Sequence, residues 1–227
     1  MREETVELRA EEQSTVPLSV WLPERRPRGV VLLGHGLGAD RSHPTVQVPA
    51  EILVERLGAA VVAPDVPCHG VRREGASDRE AVLQRWQTYW TSGGPAELRD
   101  EWLRIASFAR ERFPGARLGY LGLSLATQYG VVFLANEPRI AAAALGLFGS
   151  EAPPKSAIMN ACAPRVLCPV YFVQKQDDEL HSRASSDRLF ASLGSAEKVL
   201  DSSPGRHADV SPETVARACE FVVKRLA

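Results

Sequence analysis

Ser124 stands in Gly122-Leu123-Ser124-Leu125-Ala126, between an apolar run and a stretch with helical spacing. A serine on a sharp strand-to-helix turn exposes its hydroxyl at a helix N-terminus, where the helix dipole favours developing negative charge. Such a turn crowds neighbouring backbones, so the positions two before and two after need small residues; here they are Gly122 and Ala126. The plainer alternative is a serine that only caps the helix. To become a nucleophile the hydroxyl needs a base, and His207 follows Ser203-Pro204-Gly205-Arg206 on a glycine-containing loop. An imidazole in turn needs an acid to orient it and to stabilise its charged form. The run Asp177-Asp178-Glu179 offers three, directly after the apolar stretch 170–174. Finally, Gly34-His35-Gly36-Leu37-Gly38 can bring backbone N–H groups close to the serine, and we assign an oxyanion hole to the amides of Leu37 and Leu125. His35 is expected to hold that loop rather than to react. Glycines at 34, 36 and 38 match neither a dinucleotide nor a phosphate-loop spacing. Taken together, these residues point to nucleophilic acyl transfer.

The elements that must position them alternate. Segments 5–12 and 16–23 alternate apolar and polar residues and predict a strand pair. Continuous apolar runs at 30–33, 59–64, 117–123, 140–148, 170–174 and 198–200 predict strands covered on both faces. Helical patterns fall between and after them, at 46–57, 78–90, 96–113, 126–137, 182–193 and 212–226. This is an α/β chain with a mostly parallel sheet, expected to form one domain over 1–227. In such sheets ligands sit beyond the carboxyl ends of the strands, which is where Ser124, the acidic run and His207 all lie.

Several motifs resemble those of the α/β-hydrolase superfamily: GHGLG at 34–38, PDVPCHG at 64–70, GLSLA at 122–126, the acid pair at 177–178 and PGRH at 204–207. The resemblance spans nearly the whole chain, and the order serine, acid, histidine is the superfamily's. It implies an eight-stranded, mostly parallel sheet flanked by helices, with the first strand pair antiparallel. Position 177 matches the family's G-x-x-D-x-x-V register, with Gln174 for Gly and Leu180 for Val, which implies Asp177 as the triad acid; Asp178 is the alternative. PDVPCHG is similar to the family's P-D-x-P-G-H-G, with Cys68 for Gly, and implies a structural role for Asp65, His69 and Arg72. The small size resembles cap-less esterases and the dienelactone-hydrolase-like group, with Ser in place of that group's Cys. Only about twenty residues join 148 to 169, so no large cap is expected.

The predicted activity is hydrolysis of a small or medium carboxylic ester through an acyl-enzyme, with no cofactor. The same triad also serves thioester hydrolysis, carbon–carbon cleavage or a lyase or cyclase step, and the fold also serves non-catalytic ligand binding. Trp86, Tyr89 and Trp90 recur at helical spacing, either as core packing or as the wall of a substrate pocket, and Phe148 is a further pocket candidate. Arg72 and Arg73 are either solvated or set to meet an anionic substrate group. With 27 basic and 28 acidic residues interspersed, the chain carries no excess of positive charge for nucleic acid. No apolar stretch reaches the length of a membrane span, and the start lacks the apolar core of a secretory signal. Cysteines at 68, 162, 168 and 219 form no C-x-x-C pair, and five histidines form no metal-ligand pattern, so reduced thiols in the cytoplasm and no metal are expected.

Overall fold

In the computed structural model, residues 1–9, 15–75, 78–152 and 156–226 are described. Eight strands form one sheet in the order β1-β2-β4-β3-β5-β6-β7-β8. β1 (Arg2–Arg9) pairs antiparallel with β2 (Thr15–Leu22), and β2 pairs antiparallel with β4 (Ala60–Pro64). Every other pairing, among β3 (Val30–Leu33), β4, β5 (Leu118–Leu121), β6 (Ile140–Gly146), β7 (Val170–Lys175) and β8 (Lys198–Ser203), is parallel. Of the first predicted strand, positions 10–12 lie outside the described residues.

Burial on both faces explains the apolar runs of the inner strands but not the run at 198–200: β8 is the edge of the sheet, with no strand beyond it, and Val199 and Leu200 are each 40% exposed. Successive strand residues point to opposite sides, and in β3 Val30 and Leu32 join one buried cluster while Val31 and Leu33 join the other. In β7, Val170 and Phe172 divide from Tyr171 and Val173 in the same way. One cluster is roofed by α2 (Arg79–Thr91), α3 (Gly94–Arg112), α4 (Leu125–Leu134), the short α5 (Ala157–Cys162) and α6 (Arg183–Ser192). The other is covered by α1 (Pro44–Glu51), a π-helical turn at Ile52–Arg56, and α7 (Pro212–Val223). α7 lies so close to β5 that a Cβ at Gly119 would run into Val222. That contact requires glycine there.

The helix predicted over 46–57 divides at the π-turn, whose Leu57 N–H reaches Ile52 O at 3.1 Å. α5 escaped the sequence reading because six residues are too few to display a period. Between β6 and β7 the described residues hold only α5 and one 3-10 turn, so no large cap stands over the sheet. Among the described residues no helix is long and apolar enough to cross a membrane.

β3 has β4 on one side and β5 on the other, so the chain reverses its direction of travel across the sheet at β3. The loops leaving β3 and β5 therefore part to opposite sides at adjacent strand ends. A crevice opens there.

Candidate active site

Ser124 closes the turn after β5 with φ +59° and ψ −126°. A non-glycine residue with this backbone stores strain of roughly 1–3 kcal/mol and persists only where its surroundings over-determine it. They do so here. The Ser124 N–H donates to Gly146 O at 2.9 Å, and the Thr127 hydroxyl lies 2.9 Å from Gly122 O and 2.7 Å from Gly146 O while accepting the Gly146 N–H at 2.8 Å. Tyr120, fully buried beneath the turn, donates its hydroxyl to Ala126 O at 2.6 Å. The need for small flanks is steric: a Cβ at Gly122 would fall 2.8 Å from the Ala126 Cβ, as would one at Gly34. The Ser124 side chain makes no capping bond to α4. Its hydroxyl points elsewhere.

It meets His207. Nε2 of the imidazole lies 2.9 Å from Ser124 Oγ, and Nδ1 lies 2.9 Å from Asp178 Oδ2. A carboxylate can only accept, so Nδ1 carries the proton and Nε2 presents a lone pair to the serine hydroxyl. Burial works to raise the Asp178 pKa, but the His207 ring and the amides of His181 and Leu180 outweigh it and hold the carboxyl below its ordinary value. Asp178 Oδ1 accepts those two amides at 2.9 and 2.8 Å.

The acid against His207 is thus Asp178, not the Asp177 implied by register. β7 and β8 keep pairing beyond their last strand residues: Gln176 N–H reaches Ser203 O at 3.0 Å and Asp177 N–H reaches Gly205 O at 3.1 Å. Asp177 is still part of that ladder, and its exposed carboxylate accepts the Gly205 N–H at 3.1 Å. Only at Asp178 does the chain turn toward the imidazole. Glu179 accepts the His207 N–H at 3.0 Å, so all three acids grip the histidine loop at different points.

Lys175, missed by sequence reasoning, is the fourth grip. Its buried ammonium donates to Ser203 Oγ at 2.9 Å and to Pro204 O at 3.1 Å. Nothing local in the sequence marks it, since the loop it holds lies 28 residues away.

The glycine loop after β3 is fastened from below. Gly34 N–H donates to Leu121 O at 2.9 Å, and the Tyr129 hydroxyl donates to His35 O at 2.9 Å. The buried His35 ring accepts the Val66 N–H on Nε2 at 3.1 Å and donates from Nδ1 to Gly36 O at 3.0 Å. Burial pushes its pKa down to about 4, so it stays neutral and structural. Leu37 borders the same cavity as Ser124, and Leu125 is the residue after Ser124, at the first position of α4.

PDVPCHG supports this loop. Asp65 is buried, accepts the Arg41 N–H at 2.9 Å and the Val71 N–H at 3.1 Å, and pairs with the Arg41 guanidinium. Arg72 bridges Asp65 O at 3.0 Å and the buried Glu101 at 2.9 Å, while Arg73 donates to Gly38 O at 2.8 Å. His69 is fully buried, and burial drives its pKa down to about 4. Cys68 holds φ +66°, a left-handed backbone that favours glycine.

Two cavities open near these residues, one bordered by Ser124 and His207 and one by His181, whose ring lies 5.8 Å from that of His207. The first, of about 690 Å³, is bordered by Ser124, His207 and aliphatic side chains including Leu123, Leu147, Val210 and Val215. None of the aromatic pocket candidates, Trp86, Tyr89, Trp90 and Phe148, lines it. Trp86 is buried core: it stacks on Trp90 at 5.7 Å and donates its indole N–H to Gln128 Oε1 at 3.0 Å. Trp90 and Phe148 border the second cavity, which does not include Ser124. Helical spacing showed that the tryptophans share a face, but not what that face meets.

A sheet with helices on both sides, a strained serine between strand and helix, and a glycine loop beside it define the class of fold and site. No family model and no curated protein matches the chain. Among solved structures, a cold-adapted esterase from an Arctic intertidal metagenomic library is 30% identical, with a TM-score of 0.86 over 99% of this chain and 94% of that one. A dienelactone hydrolase from Anabaena variabilis is 18% identical, with a TM-score of 0.72 over 99% and 96% of the two chains. Est1E from Butyrivibrio proteoclasticus, solved with ferulic acid, is 16% identical, with a TM-score of 0.68 over 92% and 96%. The last two share the fold. The chain belongs to the α/β-hydrolase superfamily.

Proposed function

We propose that the protein is a serine hydrolase that cleaves carboxylic esters of small or medium size through an acyl-enzyme, with Ser124 as nucleophile, His207 as base and Asp178 as the orienting acid. The observation that carries this reading is the relay of two 2.9 Å contacts from Ser124 Oγ through the imidazole to Asp178 Oδ2. His207 Nε2 takes the hydroxyl proton as Oγ attacks the carbonyl carbon, and Asp178 stabilises the resulting imidazolium. The amides of Leu37 and Leu125 hold the oxyanion. His207 then returns the proton to the leaving oxygen, and a water activated by the same base releases the acid.

The similarity to an Arctic esterase supports an ester over other acyl substrates. Ser124→Ala is expected to lower p-nitrophenyl acetate turnover by roughly five to six orders of magnitude and to abolish labelling by a fluorophosphonate probe. Labelling that survives in the variant places the nucleophile elsewhere and overturns the reading.

A further inference from the structure

The second cavity, of about 680 Å³, shares no bordering residue with the first. Phe148 and His181 form one wall, their rings 4.4 Å apart, and the His181 ring lies 5.8 Å from that of His207. Trp90 faces the same space and is held by its stack on Trp86. Gln128, four residues after Ser124 on α4, also borders it. The indole N–H of Trp86 requires an acceptor and takes Gln128 Oε1, so the amide is fixed in one orientation. Its two N–H groups have no partner among the described residues.

We infer that this cavity binds the alcohol arm of the ester, and that the arm is an aromatic ring bearing an oxygen acceptor. The inference rests on the esterase reading above. In acylation the Ser124 Oγ–carbonyl bond forms, the carbonyl–alkoxide bond breaks, and the proton held on His207 Nε2 passes to the departing oxygen. The alcohol arm therefore leaves beside His207, where His181 begins the wall of the second cavity. Three rings offer face and edge contacts that a flat aromatic group satisfies and an alicyclic one does not. The Gln128 amide supplies a donor for a ring oxygen. The first cavity, mostly aliphatic and including the oxyanion loop, is left for the acyl arm.

Two butyrate esters of primary alcohols, 4-methoxybenzyl and cyclohexylmethyl, test this with nearly equal leaving groups. The protein is expected to favour the aromatic ester by about tenfold in kcat/KM, and this ratio is expected to fall to about one in Phe148→Leu and in Trp90→Leu. Because the readout is a ratio, a general loss of activity in either variant cancels. Ethyl 3-phenylpropanoate and ethyl 3-cyclohexylpropanoate, which move the ring to the acyl arm, are expected to differ little. No aromatic preference, a preference that survives both variants, or a preference confined to the acyl arm overturns the inference and leaves the esterase reading intact. Failure to hydrolyse any of the four esters, together with no fluorophosphonate labelling at Ser124, overturns both.

Discussion

Asp177 and Asp178 are neighbours in the chain that grip different parts of one loop: Asp177 accepts the Gly205 amide at 3.1 Å, and Asp178 meets the His207 ring at 2.9 Å. The two substitutions should therefore separate. Asp178→Asn leaves an amide that can present N–H to Nδ1 and favour the wrong tautomer, and kcat for p-nitrophenyl acetate is expected to fall by about 10³- to 10⁴-fold. Asp177→Asn keeps an acceptor for Gly205, and its kcat is expected to change by only a fewfold, on the order of one lost or weakened exposed hydrogen bond. Equal losses in the two variants would refute the assignment of Asp178.

Lys175 acts on His207 only through the loop it fastens, so it is a positioning residue. Lys175→Met removes both donors and frees Ser203 and Pro204. We expect kcat to drop by about tenfold with KM nearly unchanged, since small displacements of a base from its nucleophile are felt in the chemical step. A change confined to KM, or to thermal stability, assigns Lys175 a purely structural role.

His35 and His69 are buried neutral, each with a pKa of about 4 in the fold. An unfolded histidine titrates near 6.5, so between these values the unfolded chain binds more protons. The sign follows: the stabilising effect is full above about pH 6.5 and is lost as the pH falls toward about 4, with an upper figure on the order of 3 kcal/mol for each ring. Urea midpoints measured from pH 7 to pH 4 are expected to decline. His69 Nδ1 lies 2.9 Å from Pro67 O, and His69→Gln, which keeps a donor there, should flatten that decline. An unaltered slope in the variant would show that other groups carry it.

Cys68 carries a side chain at φ +66°, whereas a left-handed backbone favours glycine. Cys68→Gly is expected to raise the unfolding free energy by about 1 kcal/mol and the melting temperature by about 3 °C. Cys68→Ala keeps the Cβ and should give no such gain. Equal melting temperatures for the Gly and Ala variants would show that the backbone is not strained there.

The parts of the site legible in the sequence are those whose chemistry is local. A strand-to-helix turn this tight excludes large flanks, so Gly122 and Ala126 advertise it; a Cβ at Gly122 would fall 2.5 Å from the Tyr120 hydroxyl as well as close to Ala126. The glycine loop announces itself for the same reason, and the inner apolar strands through burial on both faces. Asp178 was not legible over Asp177, because the choice depends on how far β7 and β8 go on pairing after Lys175. The aromatic stripe of α2 misled for a related reason: spacing groups Trp86 with Trp90, yet one is core and the other faces a cavity.

What the sequence by itself determined is the alternation of strands and helices, the two-faced burial of the inner strands, and the residue types able to attack a carbonyl. Each depends on the period of a single segment or on the sterics of a single turn. Which carboxylate meets the imidazole, which lysine steadies its loop, and which side chains enclose each cavity were decided only by the tertiary structure. Those contacts join segments far apart in the chain, as Ser124 and His207 are at a separation of 83 residues, and no local pattern encodes a distance across the sheet's edge.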